Sequence, residues 1–296
     1  MQAVVYEKYG PPEVLHLVER RQPLPKENEV LVKVHATTVT HGDVRMRSFT
    51  VPRAEWIPAR LYLGIRGPRR AILGMELSGE IEAVGQAVTR FKPGDPILAS
   101  TFAAGFGGYA EYKCLPEATA MILKPSPISY EEAAAVPIGG GTAVRFLRKA
   151  NIQPGQKILI YGASGSVGTF AVQLAKHYGA EVYAVCSTAN LELVKSLGVD
   201  CVIDYTREDV TRYPVDVVFD AVGLMNKKTL PEHGIFVSVH GSAGGEKLQD
   251  LLFLAELLAS GELKPVIDRC YPLDQIVAAH RYVDTGHKKG NVIITI

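Results

Sequence analysis

Cysteine is scarce in this chain. Its four cysteines, Cys114, Cys186, Cys201 and Cys270, stand far apart and form no C-x-x-C pair. That argues against a zinc knuckle and a disulfide framework, and it fits a reducing compartment. Charge of one sign is also lacking: 32 basic and 31 acidic residues leave a net charge of +1, so no global field draws the chain to nucleic acid or membrane. Long apolar runs are missing too. The greasiest stretch, Leu251 to Leu258, is broken by Glu256 and is too short to span a bilayer. The opening residues, Met1 to Lys8, hold no apolar signal core, and there is no internal repeat or low-complexity tract. These absences predict a soluble cytoplasmic protein with no nucleic-acid partner and no membrane span.

What is present is a chain of 296 residues, 47% hydrophobic and 21% charged, enough for roughly two domains. The first third reads as strands and turns, with Val30–Val34 and Ile81–Val84 as β-rich runs. From about Tyr130 strands alternate with helices. Lys157–Tyr161, Val182–Cys186, Cys201–Ile203, Val215–Phe219 and Ile235–Val239 are buried-type strands, and Val167–Tyr178 has helical spacing. Such alternation predicts a parallel, doubly wound sheet. The tail returns to β at Asn291–Ile296.

The strongest motif runs Ile158-Leu159-Ile160-Tyr161-Gly162-Ala163-Ser164-Gly165-Ser166-Val167-Gly168: a buried strand, a glycine turn and a helix start. Gly162 permits the turn, Gly165 admits a pyrophosphate against the backbone, and Gly168 allows close helix–strand packing. The helix start then offers free N–H groups to phosphate. The spacing is G-x-x-G-x-x-G rather than G-x-G-x-x-G, so a glycine turn in another α/β protein is the competing reading. An enzyme for NAD usually carries an acid at the end of the second strand. Here Cys186-Ser187-Thr188-Ala189-Asn190 stands there, which removes the carboxylate that would repel a 2′-phosphate. NADPH is therefore expected over NADH, with Lys195, Tyr205 and Arg207 as the nearest helpers. Ser187 and Thr188 serve equally well as helix caps.

The chain resembles the medium-chain dehydrogenase/reductase superfamily, in its zinc-free quinone oxidoreductase branch. The resemblance spans nearly the whole chain. It is carried by Gly74-Met75-Glu76-Leu77-Ser78-Gly79, Val84-Gly85, Val88, Phe91, Lys92-Pro93-Gly94-Asp95, Gly107-Gly108-Tyr109-Ala110-Glu111-Tyr112, the Gly162 loop, Phe219-Asp220-Ala221-Val222-Gly223 and Gly286-His287-Lys288-Lys289-Gly290-Asn291-Val292. It implies an α/β protein: a GroES-like β-rich substrate domain from residues 1–122 and 268–296, and a doubly wound parallel-sheet Rossmann domain over 123–267. Gly139, Gly140, Gly141 and Thr142 open a helix at the junction and are expected near the cofactor. Tyr205 is similar to a tyrosine that approaches the adenosine phosphate. Val222, Gly223, His240, Gly241 and Asn291 complete the expected cofactor set.

Zinc-dependent members of the superfamily place ligands where this chain has Thr40, Met75 and Ile138-Gly139-Gly140-Gly141, and they carry a four-cysteine lobe that is missing between Asp95 and Tyr109. Thr and Met cannot replace thiolate and imidazole, so no zinc is expected. Without a Lewis acid, reduction of a quinone or conjugated carbonyl is the less demanding chemistry, because the conjugated system takes up the hydride's charge.

Thr40, His41 and Asp43 are the candidate catalytic residues; they would polarise the acceptor or hold a water, unless His41 and Asp43 only fix loop geometry. Arg47, four residues on, is a candidate partner for Asp43 or for phosphate. Tyr109 and Lys113 satisfy Tyr-x-x-x-Lys, yet they precede the glycine motif and lie in β texture, so no catalytic pair is assigned. The Rossmann half is short. The stretch Gly223–Lys228 is compressed, and relatives place a further strand between Gly245 and Leu251. Either that strand is deleted or residues are missing, and the edge a deletion would expose argues for missing residues. A homodimer is correspondingly weakly indicated. Two other readings stay open: an enoyl or alkenal reductase, and an NADPH-binding regulator with little turnover.

Overall fold

The computed structural model describes residues 1–51, 56–225 and 234–296. The chain divides into two units, Met1–Pro137 with Ile267–Ile296, and Ile138–Val266. The first segment thus runs past the expected 122. The reason is a short helix, α3 (Tyr130–Ala134), whose Ala134 packs with Ala135, Ala36 and Ile293 of the first unit. Ser129 and Glu132 close a capping box on it, and the Ser78 hydroxyl donates to the Tyr130 carbonyl at 2.5 Å.

The first unit opens with an antiparallel pair, β1 (Gln2–Val5) and β2 (His16–Glu19), and is built on β3 (Glu29–Thr38). Valines alternate along it, so Val30, Val32 and Val34 share a core with Leu77, Ile81, Ile97 and Leu115. One edge of β3 pairs antiparallel with β4 (Glu76–Val84). The other edge is divided between two partners. β6 (Tyr112–Pro116) covers Glu29–Lys33, and β14 (Asn291–Thr295) covers Ala36–Thr38. β5 (Pro96–Ser100), β7 (Met121–Leu123) and β13 (Ile267–Pro272) complete a seven-stranded sheet. Helices α1 (His41–Ser48) and α8 (Ile276–Asp284) lie in the same unit, and α2 (Trp56–Leu63) follows α1.

The second unit is a five-stranded, wholly parallel sheet: β8 (Lys157–Tyr161), β9 (Glu181–Cys186), β10 (Cys201–Asp204), β11 (Val217–Asp220) and β12 (Ile235–Ser238). Its order, β10-β9-β8-β11-β12, reverses direction at β8, the switch point where such sheets bind ligands. Helix α5 (Ser166–His177) crosses from β8 to β9 and α6 (Leu191–Ser196) from β9 to β10, while α4 (Pro137–Ala150) precedes the sheet and α7 (Leu248–Ser260) follows it. Residues 239–247 lead from β12 to α7 without a strand, so among the described residues β12 is an edge. Of the compressed stretch, Asn226, Lys227 and Lys228 lie outside the described residues.

Candidate functional site

In the second unit, β8 ends at Tyr161 and the chain turns on Gly162, whose φ is +78°. A Cβ there would also meet Val222 Cγ2 at 2.2 Å, so glycine is required twice over. Gly168 is held as tightly: a Cβ would stand 2.1 Å from the Gly162 carbonyl oxygen. Gly165 differs. It is the extended N-cap of α5, and a Cβ would meet only the Gly162 oxygen, at 3.5 Å. Ser166, Val167 and Gly168 open the helix with no side-chain cap from Gly165, and a helix N-terminus of this kind favours a phosphate. Gly139 of α4 is in near contact with Ser166, where a Cβ would meet its Oγ at 2.5 Å. One turn on, the Thr142 hydroxyl accepts from Arg145.

Neighbouring strand ends converge on this loop. Asp220, at the end of β11, is fully buried and accepts three backbone N–H bonds, from Val222 at 3.1 Å, Gly223 at 2.7 Å and Met225 at 2.8 Å. Gly223 has φ +84°, and a Cβ would lie 1.8 Å from the His240 ring. The Gly241 N–H turns back to the Ser238 carbonyl at 2.7 Å. Gly162 thus abuts Val222, and Gly223 abuts His240.

On the other side, Ser187 and Thr188 do not act as the expected caps. Neither side chain bonds to the helix start; the Thr188 hydroxyl donates to Asp204 Oδ2 at 2.5 Å, and Asn190 Nδ2 reaches Ser164 Oγ at 2.9 Å. The carboxylate missing from β9 thus stands one strand over. Asp204 is committed locally: Thr206 donates to its other oxygen at 2.7 Å through the hydroxyl, and Arg207 Nε lies 3.6 Å away. These donors, the Thr188 hydroxyl foremost, hold its pKa below the usual carboxylate value. Tyr205 is about half exposed, its ring 6.0 Å from that of Tyr161. Lys195 pairs with Glu192 at 2.9 Å.

In the first unit, Thr40 and Asp43 do come together, as a capping box. The Asp43 N–H donates to Thr40 Oγ1 at 3.0 Å, and Thr40 returns both its N–H and its hydroxyl to Asp43 Oδ2, at 3.0 and 2.6 Å. The Gly74 N–H donates to Asp43 Oδ1 at 3.0 Å. Asp43 is fully buried, so its expected direct part in polarising an acceptor gives way to holding Thr40 in place. His41 is exposed on the first turn of α1. Burial raises the Asp43 pKa to about 6 against the pull of its donors.

Arg47 is not the partner of Asp43. Its guanidinium takes Asp284 through both carboxylate oxygens, at 3.1 and 2.9 Å, and lies 3.2 Å from His280 Nδ1. Arginine can only donate, so Nδ1 accepts and His280 carries its proton on Nε2, 3.2 Å from the Tyr109 hydroxyl. Tyr109 in turn bonds to Asp43. Hydrogen bonds thus link Asp284, Arg47, His280, Tyr109, Asp43 and Thr40, with Arg47 donating to both its neighbours and Asp43 accepting from both of its own. Burial, helped by the charge of Arg47, depresses His280 to about 3, so the ring is neutral. Nothing in the sequence pattern points to His280, and Tyr109 stands out there only in the Gly107–Tyr112 landmark and in a Tyr-x-x-x-Lys pattern that assigns it no role. The T-x-x-D pattern at Thr40, by contrast, is a readable helix start.

Met75 is buried, with its Sδ 3.4 Å from Thr40 Oγ1. Beside it Glu76 accepts the Thr38 hydroxyl at 2.5 Å. Lys288 is pushed down to about 8 by burial, which the charges of Glu76 and Asp268 oppose. Asn291 is buried at the start of β14 and so belongs to the first unit. Among the described residues no cluster of three His, Cys, Asp or Glu side chains could hold a metal, and no helix is long and apolar enough to cross a membrane.

A glycine-turn Rossmann unit set into a β-rich unit built from both chain ends defines a dinucleotide-dependent dehydrogenase or reductase. The alcohol dehydrogenase GroES-like domain family matches residues 26–126, and the zinc-binding dehydrogenase families match 166–244 and 242–294. The chain is similar to an NADPH-dependent alkenal/one oxidoreductase of Arabidopsis thaliana, 34% identical over 321 residues, covering 99% of this chain and 79% of that one. It is also similar to a quinone oxidoreductase of Sus scrofa, 32% identical, covering 98% and 95%. The solved quinone oxidoreductase of Coxiella burnetii superposes with a TM-score of 0.87 at 29% identity, over 100% of this chain and 99% of that one. The chain belongs to the medium-chain dehydrogenase/reductase superfamily, in its quinone oxidoreductase branch. The 321-residue alignment exceeds the 296 residues of this chain, so the Arabidopsis relative holds positions that this chain lacks.

Proposed function

We propose that this protein transfers hydride from NADPH to quinones or related conjugated carbonyls without zinc, and that it works in the cytoplasm. The observation that carries the reading is the glycine loop: a helix N-terminus with no side-chain cap from Gly165, open at that glycine, with Val222 against Gly162. The nicotinamide cofactor, when bound, supplies the reducing equivalent. The chain's own contribution is to bind, orient and exclude water. Gly162, Ser164, Gly165, Ser166, Val167 and Gly168 would hold the pyrophosphate, with Thr142 and Gly241 in supporting places.

At the adenosine end, Ser187, Asn190 and Tyr205 are the candidate contacts, with Arg207 as the cation for a 2′-phosphate. Thr188 sends its proton to Asp204, so it acts as an acceptor there. Zinc independence rests on donor chemistry. The two side chains that meet near the start of α1 are a hydroxyl committed to a helix cap and a thioether, and neither replaces imidazole or thiolate. On the substrate side Thr40 and His41 offer polar contacts, and Asp43 is a positioning residue.

A second reading, reduction of alkenals or enones, is favoured by the name of the Arabidopsis relative. One experiment separates the readings: fluorescence titration with NADPH and NADH, then cofactor consumption with 1,4-benzoquinone, 9,10-phenanthrenequinone and a short enal. Preferential NADPH binding with faster oxidation by quinones is the expected result. Faster oxidation by the enal selects the second reading, binding without turnover selects a regulatory protein, and no binding overturns the proposal.

A further inference from the structure

Although the chain carries a net charge of only +1, seven arginines and a single acidic residue, Glu55, fall between Val44 and Met75. Arg53 and Glu55 lie outside the described residues. Arg47 is buried against Asp284. The Arg60 guanidinium sits 3.9 Å over the Phe49 ring and 5.0 Å from both Tyr9 and Trp56, which pins α2 to the end of α1. The chain then folds back on Gly64, whose φ of +130° and 1.9 Å clearance to the Gly67 oxygen admit no side chain. The Arg69 N–H donates to the Leu63 carbonyl at 2.7 Å, which closes the turn and brings the exposed Arg66, Arg69 and Arg70 beside the helix.

Helix α2 buries none of its residues. Trp56, Ile57, Leu61, Tyr62 and Ile65 are 48, 68, 56, 62 and 64% exposed. A single exposed apolar side chain is ordinary, but five within ten positions make a patch that requires a partner. The adjoining segment adds only Glu7 and Lys8, whose charges cancel. A second copy would set arginines against arginines, which disfavours a symmetric dimer through this face. An anionic lipid surface matches every feature: apolar side chains for the acyl boundary, Trp and Tyr for the interface, and arginines for phosphate.

We propose that α2 and the Gly64 turn dock this protein on an anionic bilayer as a peripheral contact. This inference is independent of which acceptor the enzyme reduces. Trp56 is the only tryptophan, so its emission reports on this helix alone. The test mixes the full chain with phosphatidylcholine vesicles containing about 30% phosphatidylserine, and with pure phosphatidylcholine vesicles, at low and high salt.

The expected result is a blue-shifted Trp56 emission and co-sedimentation with the anionic vesicles. Binding should be roughly tenfold or more weaker to neutral vesicles, and weaker in salt. Ile57→Asp/Leu61→Asp and Arg66→Glu/Arg69→Glu should each cost about tenfold in vesicle affinity, with circular dichroism and NADPH affinity unchanged. No sedimentation at low salt, or unchanged binding by both variants, overturns the proposal. So does loss of a concentration-dependent dimer in Ile57→Asp/Leu61→Asp, which would assign the face to a second copy. A raised KM for a small soluble quinone without vesicles would assign it to the substrate site and overturn it equally.

Discussion

Asp43 sets two forces against each other, and replacing it by asparagine measures which one wins. Burial pushes its pKa up, while Thr40, Gly74 and Tyr109 donate hydrogen bonds that pull it down; the balance lies at about 6 against an ordinary 3.8. A carboxyl raised on folding binds its proton more tightly in the native state. Its contribution to stability is therefore fully present below about pH 4 and is lost as pH rises through about 6. A shift from 3.8 to about 6 corresponds to about 3 kcal/mol across that window.

The amide of the Asp43→Asn variant would neither titrate nor accept every donor equally, so the variant is less stable throughout. The informative quantity is the gap between the two proteins, read from urea unfolding at pH 4.5, 5.5 and 7 (about half-unit precision suffices). The stability advantage of the wild type should widen by about 2 kcal/mol between pH 7 and pH 4.5. A gap that stays constant would mean that the donors balance burial, and one that widens towards alkaline pH that they outweigh it. Asp43 would then be an ordinary low-pKa cap, and the account of the buried chain from Asp284 to Thr40 would be wrong in its electrostatics.

Three further outcomes are expected. Gly168→Ala places a methyl 2.1 Å from the Gly162 oxygen, so it should lower stability by about 2 kcal/mol or more and abolish the NADPH titration, whereas Gly165→Ala should keep the fold and weaken binding alone; thermal unfolding beside titration checks both. Arg207→Ala should weaken NADPH about tenfold and leave NADH nearly unchanged, since only the phosphate uses its charge; equal losses for both cofactors would remove Arg207 from the site. Prolonged dialysis against a strong chelator should leave turnover intact, and activity restored only by zinc would refute the metal-free reading.

Where a residue's role depends on its neighbours along the chain, the sequence was easy to read. The glycine turn, β8 and α5 could be placed to within a residue because strand, turn and helix start carry local patterns, and Gly162 and Gly168 perform the steric roles their spacing predicts. Roles set across the fold were opaque. Arg47 stands four residues from Asp43, the spacing of a helical pair, yet its partner is Asp284 at the far end of the chain. Thr188 looked like a cap or a phosphate donor because Asp204, a strand away, could not be seen beside it. The Thr40–Asp43 box, by contrast, carries a local signal, the T-x-x-D pattern of a helix start. The arginine-rich stretch was hidden by the overall balance of charge.

The division of the edge of β3 between β6 and β14 has a consequence for synthesis. The second unit is one continuous segment, and every strand of its sheet is synthesised before β13 and β14. Ala36–Thr38 must wait for Ile293–Thr295, so the first unit keeps an unpaired edge until β14 emerges. The order of assembly is thus the reverse of the order in which the first strands appear. Shortening the chain by its last six residues should strand the nascent protein with one finished unit and one open sheet.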